Sequence, residues 1–277
     1  MDFVNFRVGS KTISLKILDI LFTERYDDNL TSLPNENPSF LGVKDYMDTP
    51  TPVFDLGIML NKQSTKSANV ALAETIEQYI TFNNKWFSAL ERSIDNKEAM
   101  SSELDEQMRR FISWYESANV QDPDLKDLFK RLTVPHRHIL EQAKLLGGLT
   151  PEQAKEILSK EKRNNMAQIT RLLSSAKELL TFNHKPIIVY TTKDGVTPYI
   201  GLLVDRVEDS ISVDQSDVKS LSELTSIGFE VDRETKHMMA GLIKLKDSHS
   251  LIIEPSAIFR PQHLTHEPEE TEAYGLF

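Results

Sequence analysis

Near the start of the chain Val4, Phe6 and Val8 alternate with Asn5 and Arg7, a period of two that predicts a half-buried strand. Gly9-Ser10 breaks the run, and a second apolar stretch follows from Ile13 to Phe22, so the pair reads as a hairpin. Pro34, Asn35, Asn37 and Pro38 mark a loop. Short strands are predicted near Phe40–Val43 and, after Thr49-Pro50-Thr51, over Pro52–Ile58. From Ala71 to Phe182 the period changes to that of a helix. Ile76, Ile80, Trp86, Leu90 and Ile94 make one stripe; Leu104, Met108, Phe111, Ile112 and Tyr115 make a second. Leu125 to Leu132 gives a short third stripe, and Ile139 to Leu146 a fourth that ends at Gly147-Gly148. The fifth helix starts sharply: Thr150 can cap it, Pro151 suits its first turn and Gln153 stands at the reciprocal capping position. Its stripe runs to Leu180, interrupted by the polar stretch 161–165, which is expected to be a bend or a solvent-facing end.

After His184-Lys185-Pro186 the short β-branched runs return: Ile187–Tyr190, Tyr199–Val204, Ile211–Val213, Gly241–Leu245 and Leu251–Ile253. Residues 261–277 hold four glutamates and no lysine or arginine, and are expected to be a disordered acidic tail. The order is therefore β, then α, then β. Neither β half has enough strands to protect its edges alone. Both halves are expected to form one β domain, residues 1–70 and 183–260, with a helical domain, 71–182, inserted between them and the tail at 261–277.

Composition narrows the function more than the fold. The 277 residues carry a formal net charge of −10, which speaks against general nucleic-acid binding and against docking on anionic membranes. The helical stretch 71–182 contributes only −1 of this, so −9 lies elsewhere. Without cysteine there are no disulfides, thiol nucleophiles or thiolate metal ligands. The opening residues resemble no signal peptide and no apolar run is long enough to span a bilayer, so a cytoplasmic location is expected. Gly147-Gly148 lacks the lysine of a phosphate loop, the seven histidines are scattered, and no nucleophile elbow occurs. Asp122/Asp124 and Glu269/Glu270 read as solvated surface. No catalytic residues and no enzyme activity are expected.

The β halves resemble CheW, the adaptor family that joins chemoreceptors to their histidine kinase. Phe3–Phe22 looks like its opening hairpin. Gly42-Val43 followed by Pro52-Val53-Phe54-Asp55-Leu56 resembles its "G-V-I-N-L-R-G … P-V-x-D-L" signature. The run 201–207, GLLVDRV, resembles its "V-G-L-x-V-D-x-V" strand, and 241–245 with 251–253 its closing pair. The resemblance covers roughly 1–60 and 186–260. It implies an α+β protein with two intertwined five-stranded SH3-like barrels, interrupted here by about five helices, and no catalytic residues. The partners it implies are the regulatory domain of the chemotaxis kinase and the cytoplasmic tip of chemoreceptors, in membrane-associated arrays. On it, Ile20, Phe22, Gly42, Met47, Gly201 and Val204 are candidate partner-binding residues, although Ile20 and Val204, taken alone, read more readily as core. The chain departs from the family where Asn-Leu-Arg-Gly is usual: it has Asp45-Tyr46-Met47-Asp48. Met47 stands for the receptor-docking arginine and Asp48 for the turn glycine, and Phe22 stands where glutamate is usual.

The helical stretch resembles the chemoreceptor zinc-binding (CZB) domain, through Trp86, Trp114-Tyr115, Phe129, Leu132, Pro135-His136 and Ala143. The ligand positions that this implies are Asn83, Arg109, His136 and Leu140, of which only His136 is a metal ligand type. Zinc wants about four nitrogen or sulfur donors, and a guanidinium repels a cation. No metal is therefore expected. Asn83, Arg109 and His136 are expected to form a polar network instead. The resemblance also allows a homodimer through the helices. A different class of function stays open, a sensor in which the helices bind a metal or small molecule and alter the barrels' affinity for a partner.

Overall fold

In the computed structural model, residues 1–46, 48–98, 101–118, 120, 122–220, 233–246 and 248–258 are described. Met47 and the acidic stretch 261–277 lie outside the described residues. The protein is α+β, and the chain divides into two compact units. One consists of 1–7 and 11–55 with the residues from 188 onward; the other of 8–10 and 56–187.

The β unit holds two mixed sheets, and each draws strands from both ends of the sequence. The first orders its strands β8-β1-β2-β11-β10-β9, where β1 is Asp2–Val8, β2 Lys11–Lys16, β8 Arg206–Ser212, β9 Val218–Lys219, β10 Met239–Lys244 and β11 His249–Ile253. The second runs β3-β6-β7-β5-β4, where β3 is Ile20–Arg25, β4 Phe40–Tyr46, β5 Thr49–Asp55, β6 Ile187–Thr192 and β7 Pro198–Val204. The two halves of the sequence meet in parallel pairs, β2 with β11 and β5 with β7. Parallel neighbours need a long crossover, which the helical unit supplies. Among the described residues one sheet thus has six strands, against an expectation of five. The run Ile13–Phe22 is broken after Lys16 by a single 3-10 turn, Ile17–Asp19, that starts a new strand in the other sheet.

A bulge in β1 between Val4 and Phe6 shifts the alternation. Phe3, Phe6 and Val8 are buried, while Val4 is half-exposed and Asn5 turns inward. Buried Asn5 does not go unpaired. Ser14 Oγ donates to its Oδ1 at 2.6 Å, its Nδ2 donates to Asp209 at 2.7 Å, and Ser14 and Ser250 hydroxyls lie 2.6 Å apart. The four residues cross β8, β1, β2 and β11 as one polar row, which joins the N-terminal and C-terminal halves inside the sheet.

The helical unit is longer than the periodicity predicts, 56–187 against 71–182. Leu56, Gly57 and Leu60 are buried on helix α1 (Leu56–Asn61), where a strand to Ile58 was expected. Helix α2 (Thr65–Asn96) starts at the cap Ser64, whose Oγ accepts from Ser67 N at 3.0 Å; its first turns carry mostly exposed residues and hence no stripe. Helices α3 (Ser102–Ser117), α4 (Pro123–Leu145), α5 (Pro151–Glu161) and α6 (Ala167–Thr181) follow. Thr150 and Gln153 form the capping box of α5 in both directions. A single core, centred on Trp86, Phe111, Leu132, Ile169 and Leu173, runs through α2 to α6. Exposed ion pairs Glu77–Lys177, Glu91–Lys162 and Asp95–Lys155, at 2.7 to 2.9 Å, line the antiparallel packing of α2 along the α5–α6 helix.

Candidate docking face and buried polar site

Alternation along β3 places Ile20, Phe22 and Glu24 on one face of the five-stranded sheet. The Phe22 ring stacks on Tyr46 of β4 and on Tyr190 of β6, with centroids 4.2 and 4.4 Å apart. Tyr190 Oη donates to Glu24 at 2.7 Å, and Lys44 Nζ reaches Glu24 at 2.9 Å and Asp27 at 3.2 Å. Burial first, and then the bond to the Glu24 carboxylate, hold the Tyr190 phenol far above its usual range. Half-buried Tyr26, Leu30, Leu41 and Leu203 pack around Val53, Ile188 and Tyr190.

Four of the six candidate partner residues share this face. Gly42 pairs with Val53, and Val53 with Gly201, so three signature residues far apart in sequence form one row across β4, β5 and β7. Both glycines serve close approach. A Cβ on Gly42 (φ +143°) would stand 2.7 Å from the Thr31 carbonyl oxygen, and one on Gly201 would stand 2.9 Å from Ile188 Cγ2 and 3.1 Å from Val53 Cγ2. Ile20 and Phe22 bring side chains to the face. Val204 does not: it alternates with Gly201 and Leu203, lies on the opposite face with Ile200 and Leu202, and is core. Met47 lies outside the described residues. Its neighbour Asp48 has φ +61°, a left-handed conformation that glycine adopts without steric cost.

In the helical unit His136 of α4 is buried, with Nε2 3.2 Å from Asn83 Oδ1 and Nδ1 3.1 Å from the Leu132 carbonyl oxygen. Phe111 meets the imidazole edge-on and Tyr115 stacks on it. Burial lowers the pKa of His136 to about 4. The ring is therefore neutral and has one N–H for two acceptors, while the Asn83 amide donates to Tyr79 O at 2.8 Å. Arg109 is not part of the network. On α3 the buried residues are Met108, Phe111 and Tyr115, so Arg109 faces outward, where its guanidinium pairs with Glu106 at 3.4 Å. Leu140 packs half-buried against the helical core. One imidazole beside an amide and a leucine is not a zinc donor set. Among the described residues no three of His, Asp and Glu cluster as metal ligands would.

The stretch 161–165 does not end the helix. The helix runs from α5 into α6 through a π-helical turn, Lys162–Met166. Just before the turn, Glu161 is buried on the stripe of Ala154 and Leu158; its carboxylate accepts from Asn165 Nδ2 at 2.6 Å and lies 3.2 Å from Nδ1 of the half-exposed His138. This polar cluster escaped the sequence reading. The signals for it are the place of Glu161 three residues after Leu158 and seven after Ala154, on the stripe of α5, and its four-residue spacing from Asn165.

No protein-family model matches the chain, and no curated protein matches it. Among solved structures, a crystal structure of the scaffolding protein TtCheW from Thermoanaerobacter tengcongensis is similar, with a TM-score of 0.39 and 11% sequence identity. The match covers 91% of this chain and 88% of that one. Among the described residues no helix is long and apolar enough to cross a membrane.

Proposed function

We propose that this chain is a non-enzymatic signalling adaptor of the CheW type. It bridges the regulatory domain of a chemotaxis histidine kinase and chemoreceptors, or other proteins of a cytoplasmic chemosensory array, and the helical unit adds a second docking surface. The observation that carries the reading is the row Gly42–Val53–Gly201. The short motifs behind the family resemblance are weak one by one. Here residues of two of them, Gly42 and Val53 of one and Gly201 of the other, fall on adjacent strands in one register, as parts of a single packed face would. That face presents stacked rings and a charged rim, the composition of a protein-binding surface. Co-elution tests the reading. The full chain, at micromolar concentration, is passed over size exclusion with the kinase regulatory domain and, separately, with a receptor cytoplasmic tip. A stable complex with at least one is expected; elution apart from both refutes the adaptor.

A further inference from the structure

We infer that His138 is a nucleophilic histidine: its Nε2 accepts a phosphoryl group from a phosphoramidate-class donor, with the buried carboxylate of Glu161 as positioning residue. The site needs no docking partner and is independent of the adaptor reading. Helix α4 presents the imidazole at the surface, where the His138 side chain is 49% exposed and that of Glu161 only 5%. Glu161 Oε2 lies 3.2 Å from His138 Nδ1 and 2.6 Å from Asn165 Nδ2, and these two nitrogens are 3.0 Å apart. A carboxylate oxygen only accepts hydrogen bonds, so the ring nitrogen that faces it carries the proton. Nδ1–H therefore points to Glu161. The lone pair is left on Nε2, at the opposite edge of the ring, which has no partner among the described residues.

As an ion pair this arrangement adds little, because one partner is half-exposed and the other has been taken out of water. As an oriented nucleophile it uses both features. Nε2 attacks phosphorus and an N–P bond forms. The donor's own P–N bond breaks, and its nitrogen leaves as ammonia with the protons it already carried. The ring keeps the hydrogen on Nδ1 and becomes a cation, and the Glu161 carboxylate lies against that charge. Asn165, from the π turn, donates to the same carboxylate oxygen and holds it in place. An anionic donor meets less repulsion here than on the rest of the chain, since 71–182 carries only −1 of the total −10. Arg137 and Glu141, both exposed on α4, flank the ring with opposite signs. His237 and His249 are exposed too, but neither has a carboxylate partner among the described residues.

The test uses the full chain and potassium phosphoramidate at neutral pH. Mass spectrometry of digests kept alkaline maps the labelled histidines, and phosphorus NMR separates Nε2 from Nδ1 adducts. His138 is expected to be labelled on Nε2 about tenfold faster than His237 and His249, which serve as references within the same molecule. Glu161→Gln is expected to slow His138 about tenfold and to leave the two references unchanged. Asn165→Ala should slow it less, and His138→Asn should remove the fast site. Fluorescence of Trp86 and Trp114, both in the helical core, shows whether each variant is folded. If Glu161→Gln unfolds, the ratio of His138 to the references in the unaltered chain decides alone. Three results overturn the assignment: no phosphoryl group on His138, labelling no faster than at His237 and His249, or a folded Glu161→Gln labelled at the wild-type rate. Co-elution with kinase or receptor does not bear on any of them, so the adaptor reading stands or falls separately.

Discussion

Acid should unfold the helical unit through His136. The imidazole titrates near 6.5 when unfolded and at about 4 in the fold, because burial disfavours its cation. Between these values the unfolded chain binds a proton that the folded chain refuses, so stability falls as pH falls. The whole gap corresponds to about 3 kcal/mol, at about 1.4 kcal/mol per pH unit. About 2 kcal/mol of it is lost by pH 5, and the contribution is fully present above pH 6.5. The assay is built into the sequence. The chain has two tryptophans, Trp86 and Trp114, and both lie in the helical unit, so their fluorescence during urea denaturation reports that unit alone. Carboxylates also titrate over this range, and His136→Gln provides the reference that cancels them. The wild-type chain should lose about 2 kcal/mol more than the variant between pH 7.5 and pH 5. Equal losses would show that the imidazole takes up its proton in the folded state, and the account of a neutral ring between two acceptors would fall.

Two further outcomes test the β unit. Gly201→Ala forces a methyl group to within 2.9 Å of Ile188 and 3.1 Å of Val53, both fully buried. It should destabilise this unit by about 1–3 kcal/mol in thermal denaturation followed by circular dichroism. An unchanged midpoint would mean that the glycine row is not close-packed. Asp48→Gly should stabilise the β4–β5 hairpin by about 0.5–1 kcal/mol, since Asp48 holds φ +61° at a steric cost that glycine avoids. Slower amide exchange in the hairpin would register the gain, and faster exchange would contradict it.

The alternation of β and α texture was legible in the sequence because period two and period 3.6 differ over long windows. The edges were not legible. Helix α2 begins at Thr65, but its first turns are mostly exposed, so the helical period becomes visible only after the helix has started. The strand before it ends at Asp55, and Val53 to Gly57 are buried without a break, a run that suits a strand or a helix equally. The same limit explains the sites. Asn83 and His136 fall on the buried stripes of their helices, and the bond between them could be expected from that phase alone. Arg109 was placed beside them from motif position, but its own phase, next to buried Met108 and two residues before buried Phe111, turns it to solvent. Helical phase therefore outranks motif position as a guide to which side chains meet. Phase also marks Glu161, which follows Ala154 by seven residues and Leu158 by three on the buried stripe of α5; the π turn at 162–166 shifts the cycle only beyond it. What phase does not show is that Asn165 and His138 hold this carboxylate, because those contacts depend on the path of the helix beyond Glu161.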